Sequence, residues 1–140
     1  MSTSVTAGHA GTSGAASLAI LVGRVLLSVM FILAGYSKLT AIAGTAGWFE
    51  SLGIPLPAVA VVVSGLVELV GGLAILVGFQ TRLAALVLAA FTVAATLIAH
   101  TDLADQMQQL LFMKNFAVTG GFLVLAAAGA GALSVDARRG

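Results

Sequence analysis

The 140-residue chain has no cysteine. That absence excludes disulfides, thiolate nucleophiles, cysteine-ligated zinc and ordinary iron–sulfur clusters, so the chain carries no electrons through thiols of its own. Histidine is nearly as scarce, with only His9 and His100, and His9 falls in the polar opening segment. One bundle therefore does not supply a bis-histidine haem site, and no metal site is expected. Charged residues make up 8% of the chain and balance to a net +1, which gives no reason to invoke nucleic acid. Walker A, G-x-G-x-x-G, H-E-x-x-H and G-x-S-x-G patterns are all missing.

What is present is apolar. Hydrophobic residues account for 60% of the chain, with a mean hydropathy of +1.14, where soluble domains sit near ~45–50% apolar. The apolar residues gather in four runs, roughly Ser17–Leu39, Pro57–Phe79, Arg82–His100 and Leu111–Leu133. As helices these runs measure ~27–35 Å, enough to cross a hydrocarbon core of ~30 Å. The pattern predicts an all-α polytopic membrane protein, a bundle of four transmembrane helices occupying residues 17–136 as one domain.

Residues 1–16 are small and polar, lack Lys and Arg, and are expected to form a disordered tail. A secretory signal would need a basic start and a shorter apolar stretch, so the first run reads as a retained helix. Between the first two runs, Trp48 and Phe49 precede Gly53-Ile54-Pro55-Leu56-Pro57. Tryptophan favours the headgroup level and proline a helix start, which places this connection on the membrane surface. A tight turn around Gly78–Thr81 joins the second and third runs as a hairpin. Residues 137–140 form a short C-terminal tail. Four spans put both termini on one side together with Arg82, Arg138 and Arg139, and the positive-inside bias makes that side cytoplasmic.

Ionisable residues inside a bilayer are costly and call for partners or a function. Helical spacing aligns Arg24, Ser28, Phe31, Gly35 and Lys38 on the first helix, and Ser64, Glu68, Gly71 and Gly72 on the second. The third helix offers Arg82, Ala85, Ala89, Thr92, Thr96 and His100; the fourth offers Lys114, Ala117, Gly121, Leu125 and Ala128. Small residues beside polar ones are what close helix packing in lipid requires. Counted from the cytoplasmic ends, Arg24 lies ~10 Å deep and Glu68 ~16 Å deep, within reach of an extended arginine. Arg24–Glu68 is the expected buried charge pair, with Arg82 and Asp136 at the cytoplasmic rim. An outer polar layer gathers Tyr36, Lys38, His100 and Lys114, flanked by Asp102 and Asp105. Lys114 opens its helix, where a cation opposes the helix dipole, so it is expected to answer Asp102 or Asp105.

The order Arg24, FILAGYSKL, GLVELVGGLAILVGF-QTR-LAAL, His100, MKNF and GAGALSVD resembles the DoxX family of small bacterial inner-membrane proteins. The resemblance runs from about Leu18 to Asp136. It implies a four-helix inner-membrane bundle associated with quinone-linked redox systems and oxidative-stress complexes, with an oxidoreductase as the partner protein. No covalent cofactor is expected. A quinone offers two carbonyl oxygens to which Tyr36, Lys38, His100 or Lys114 donate, while His100 or Glu68 moves protons. On this reading any enzymatic role belongs to a complex in which the chain is an anchoring or accessory subunit. The competing reading is a non-catalytic scaffold or small-molecule carrier, in which the same charges hold the bundle together and the chain purifies as an empty homo-oligomer. The predicted topology is tested by reporter fusions after Asp102 and after Arg139. They should report opposite compartments, and a shared compartment would remove it.

Overall fold

The computed structural model of the protein describes residues 13–139. It contains six helices: α1 (Gly14–Thr40), α2 (Ile42–Ser51), α3 (Pro57–Val77), α4 (Thr81–Ala99), α5 (Gln106–Ala128) and α6 (Val135–Arg139). There is no strand among the described residues, and α1, α3, α4 and α5 are each long and apolar enough to cross a membrane. The fold is an all-α, four-transmembrane-helix bundle.

Local chemistry explains the helix ends. Ser13 caps α1, its hydroxyl accepting from the Ala16 N–H at 3.1 Å. The last residues of the expected polar tail thus belong to the first helix, and positions 1–12 of that tail lie outside the described residues, as does Gly140. Asp105 caps α5, with Oδ1 accepting from the Met107 N–H at 2.9 Å, so this helix begins at Gln106 rather than Leu111. It also ends before Leu133. Gly129 and Gly131 adopt φ of 82° and 78°, left-handed conformations that stop the helix and turn the chain back over the bundle. The surface segment after α1 is itself helical, and the α3–α4 turn is tight, with Gly78 and Gln80 both left-handed.

Around the bundle the spanning helices follow the order α1, α3, α4, α5, with the tightest packing within the α1–α3 and α4–α5 pairs. Glycine sets the first of these. A Cβ on Gly35 would lie 2.6 Å from the Gly65 carbonyl oxygen, and one on Gly72 would lie 2.8 Å from Ile32. The backbones of α1 and α3 are therefore in near contact, as in other small-residue membrane interfaces. Phe31 meets Phe122 edge to face at 5.2 Å, and Ile75, Leu88 and Leu125 complete the apolar core. The stripes expected on α1 and α4 are buried apart from their ends: Lys38 and His100 are half-buried and Arg82 is exposed. On α5 the expected stripe holds only in part: Leu125 is buried and Gly121 half-buried, but Lys114, Ala117 and Ala128 are exposed, and Thr119 and Phe122 face inward. Bulk decided that face, because Phe122 fills the space beside Phe31 and small residues do not.

The end of the bundle that carries both described chain ends is closed by arginine. Arg24, 2% exposed, donates from Nε to the Ile75 carbonyl (3.0 Å), from Nη2 to Leu76 (2.8 Å), and from Nη1 to Ala130 (2.8 Å) and Leu133 (2.7 Å). Ile75 and Leu76 belong to the last turn of α3, whose carbonyls have no partner within the helix. One guanidinium thus fastens α1 to the end of α3 and to the segment after α5. Arg82 treats α5 in the same way, with Nη1 donating to the Ala126 and Ala127 carbonyls at 2.9 and 2.6 Å. Asp136 caps α4 from a distance in sequence, its carboxylate accepting from the Gln80 and Thr81 N–H groups at 2.7 and 2.9 Å. Burial opposes its charge, but those N–H donors and nearby Arg139 outweigh it and hold the Asp136 carboxyl below its usual range. Arg82 and Asp136 both lie at this end of the bundle.

Replacing Arg24 would take a donor from four buried or part-buried carbonyls, of which Ile75 alone keeps another, the Gly78 N–H at 3.3 Å, and a buried acceptor left unmet costs about 1–3 kcal/mol. Arg24→Leu should lower stability by about 3 kcal/mol or more, and Arg24→Lys should recover only part, since an ammonium lacks the planar fork. Thermal unfolding of the purified protein in detergent checks both.

Candidate functional site

The opposite end of the bundle is open. A cavity of about 380 Å³ lies there among α1, α3, α4 and α5, with α2 against it. Its walls are mostly apolar, including Met30, Phe31, Phe91 and Ala95, and Trp48 and Phe49 of α2 close part of it. Set into those walls are Lys38, Ser64, Glu68, His100, Lys114 and Asn115.

At its heart is an ion pair between Lys38 Nζ and Glu68 Oε1 at 2.5 Å, with side-chain exposures of 22% and 6%. It is the salt bridge among the described residues. The expected Arg24–Glu68 pair does not form, although both residues are buried at 2% and 4% exposure. The direction of side chains along a helix explains the exchange. Each Cα–Cβ bond leans toward its own helix N-terminus. In the antiparallel α1–α3 pair, Gly35 faces Gly65 and Leu69, and Lys38 lies one turn further along, beside Gly65. Lys38 leans back toward the Gly35 level while Glu68 leans toward Gly65, so the two converge. Arg24 leans the same way as Lys38, toward the α1 N-terminus, which carries it away from Glu68 and onto the end of α3. Depth counting placed these residues well but ignored the lean.

Other members of the expected outer layer divide. His100, at the C-cap of α4, and Lys114 both line the cavity with Lys38. Tyr36 does not, standing 62% exposed away from the lining. Lys114 meets no acid among the described residues. Neither of the acids expected to answer it, Asp102 or Asp105, pairs with it, and Asp105 is engaged as the cap of α5, nine residues or roughly 13 Å back along the helix. Burial, and then the Lys114 charge, push His100 below its ordinary value, leaving it neutral at pH 7. Two residues emerge that the sequence reading did not assign to a site. Asn115 Nδ2 donates to Thr96 Oγ1 at 2.9 Å, tying α5 to α4 beside the cavity, and Trp48 forms part of the wall. An amide inside a membrane span was the available signal for Asn115, since such groups tie helices together. No group of three or more His, Cys, Asp or Glu side chains suited to a metal exists among the described residues.

This arrangement holds polar groups around an apolar chamber. A family model described as DoxX matches residues 19–101, which carry Lys38, Glu68 and His100. The chain belongs to the DoxX family. Among its relatives, the inner membrane protein YqjF of Escherichia coli strain K12 is 44% identical over 117 residues, covering 84% of this chain and 88% of that protein. The inner membrane protein YphA of the same strain is 32% identical over 124 residues, covering 85% and 89%. No solved structure matches. The DoxX match stops after His100, so Lys114, Asn115 and the C-terminal clamp lie beyond it.

Two predictions follow from the geometry of the site. Removing one partner of a buried pair leaves the other charge unmatched at a cost of about 3–5 kcal/mol. Lys38→Met and Glu68→Leu should each destabilise by comparable amounts, and the double variant by less than their sum, as read from a denaturation cycle. The second concerns pH. Below about 6.5 the unfolded chain protonates His100 while the folded chain resists, so the unfolded state binds more protons. Stability should therefore fall as pH drops through that value, and His100→Gln should flatten this part of the thermal stability profile.

Proposed function

We propose that this DoxX-family protein is a multi-pass inner-membrane protein with both termini cytoplasmic, serving as an anchoring or accessory subunit of a quinone-linked oxidoreductase. Its cavity seats a quinone head group. The observation that carries the reading is the cavity itself: apolar walls sized for a ring, interrupted by donors at one end. Lys38 is already neutralised by Glu68 and His100 is neutral, so the inner wall suits an uncharged carbonyl better than an anion. Lys38 and His100 supply N–H groups for the carbonyl oxygens, and Glu68 stands behind Lys38 as a carboxylate able to exchange a proton. The bound quinone supplies the redox chemistry, and a partner chain supplies or receives the electrons. The inner-membrane names of the two relatives support the location, and Arg82, Arg138 and Arg139 at the end carrying both termini support the orientation.

The self-contained Lys38–Glu68 pair also favours a second reading, in which the charges only fix the helices and the chain is a scaffold or carrier. Ligand titration separates the two. Trp48 is the only tryptophan and lies in the cavity wall, so its fluorescence reports occupancy. A short-chain benzoquinone should quench it saturably in purified wild-type protein, and His100→Ala or Lys38→Met should weaken binding by about tenfold, the worth of one hydrogen bond to a charged or buried donor. Non-saturable quenching, or equal affinity in all three proteins, would favour the scaffold.

A further inference from the structure

We propose that the cavity is entered sideways from the bilayer, through a cleft between α3 and α4, and that its ligand is a long-chain amphiphile. Such a ligand has a flat, uncharged head and an apolar tail that remains in the cleft. This rests on the head-group reading above and adds the route and the tail.

The cleft follows from the register of the α3–α4 hairpin. Near the turn the two helices touch: a Cβ on Gly71 would lie 2.9 Å from Leu88. Counting outward along antiparallel helices from that contact, Ser64 comes opposite Ala95 and Ala60 opposite Ala99. All four of those residues line the cavity. Their side chains are too short to bridge the gap, so helices pinned together at Gly78–Gln80 are separated at their other ends.

The cavity lining then continues around α4 from core to lipid. Thr92 is 4% exposed and Ala95 half-buried, whereas Ala94 is exposed and Ile98 is 55% exposed, yet all four line the same space. Ala94 lies within the candidate spanning helix, on a face turned toward acyl chain in a bilayer, and Ile98 lies near that helix's end. The other side of α4 is shut, because the Asn115–Thr96 hydrogen bond ties it to α5. Leu52 and Ile54, which follow α2, add further apolar wall. The polar groups and the apolar lip thus occupy different parts of one chamber. A small water-soluble ligand gains nothing from a mouth that opens into hydrocarbon. A tailed amphiphile gains the burial of its head among the donors while its tail stays among apolar groups throughout, so that it enters without crossing water.

The test uses two probes with the same substituted benzoquinone head, one without a tail and one bearing a decyl chain, titrated against the full chain in lipid nanodiscs. Two variants narrow the cleft: Ala95→Leu inside it and Ala94→Phe on its exposed lip, the latter placed where added bulk does not disturb packing. In both, the affinity of the decyl probe relative to the tail-less probe should fall by about tenfold or more, because the added side-chain bulk clashes with a tail held in the cleft and overpacking costs about 1–3 kcal/mol. A decyl probe with a photoreactive group at the tail end should label the stretches 60–64 or 94–98. An unchanged affinity ratio in both variants, or labelling confined to the 101–105 loop, would overturn the lateral entry while leaving the head-group reading intact. Failure of both probes to bind wild-type protein would overturn the two together.

Discussion

The near contact of the α1 and α3 backbones is the constraint on which the rest of this structure depends. In a bilayer, apolar side chains gain little by leaving lipid for protein, and association relies on close packing and polar contacts. Gly35, Gly65 and Gly72 permit that packing. Once the two helices are antiparallel and this close, the lean of their side chains dictates the polar contacts at both ends. Toward one end Arg24 is delivered to the last carbonyls of α3, and toward the other Lys38 is delivered to Glu68. Neither contact is available at a wider helix separation.

The two ends use their charges differently. Arg24 and Arg82 spend their donors on helix-terminal carbonyls, and Asp136 returns from the far end of the chain to cap α4. Gly78 is essential to this closure, because its positive φ of 73° and the Ser134 Cβ beside it leave no room for a side chain. That end is sealed. At the other, Lys38 and Glu68 satisfy each other and leave His100, Lys114 and Asn115 around an unfilled space. The bundle is clamped at one end and holds its cavity at the other.

Much of this was legible in the sequence, and the failures share a cause. Run length and hydropathy located four spans, because a bilayer imposes a length that composition cannot disguise. The α1 stripe held because Arg24, Ser28, Phe31 and Gly35 differ sharply from their lipid-facing neighbours. Part of the α5 stripe failed, at Ala117 and Ala128, because small residues occur on several faces of that helix, and only the partner helix reveals that Phe122 belongs inside. Arg24–Glu68 failed for a similar reason: depth is a one-helix property, whereas pairing depends on the relative lean of two. Lys38, His100 and Lys114 line one cavity, whereas Tyr36 was grouped with them by depth alone, although it lies off the α1 stripe that runs through Gly35 and Lys38. Asn115, next to Lys114, was overshadowed by its charged neighbour.

The central claim is that close α1–α3 packing pairs Lys38 with Glu68 rather than Glu68 with Arg24. It is tested most directly by solid-state NMR of isotope-labelled protein in lipid bilayers. The chain has only two lysines, Lys38 and Lys114, and two glutamates, Glu50 and Glu68, so side-chain nitrogen–carboxyl correlations are assignable with few variants. The account predicts one strong correlation between the Lys38 Nζ and the Glu68 carboxyl carbon, lost in Glu68→Gln. A correlation from the Glu68 carboxyl to the Arg24 guanidinium, or none from Glu68 to any cation, would contradict it.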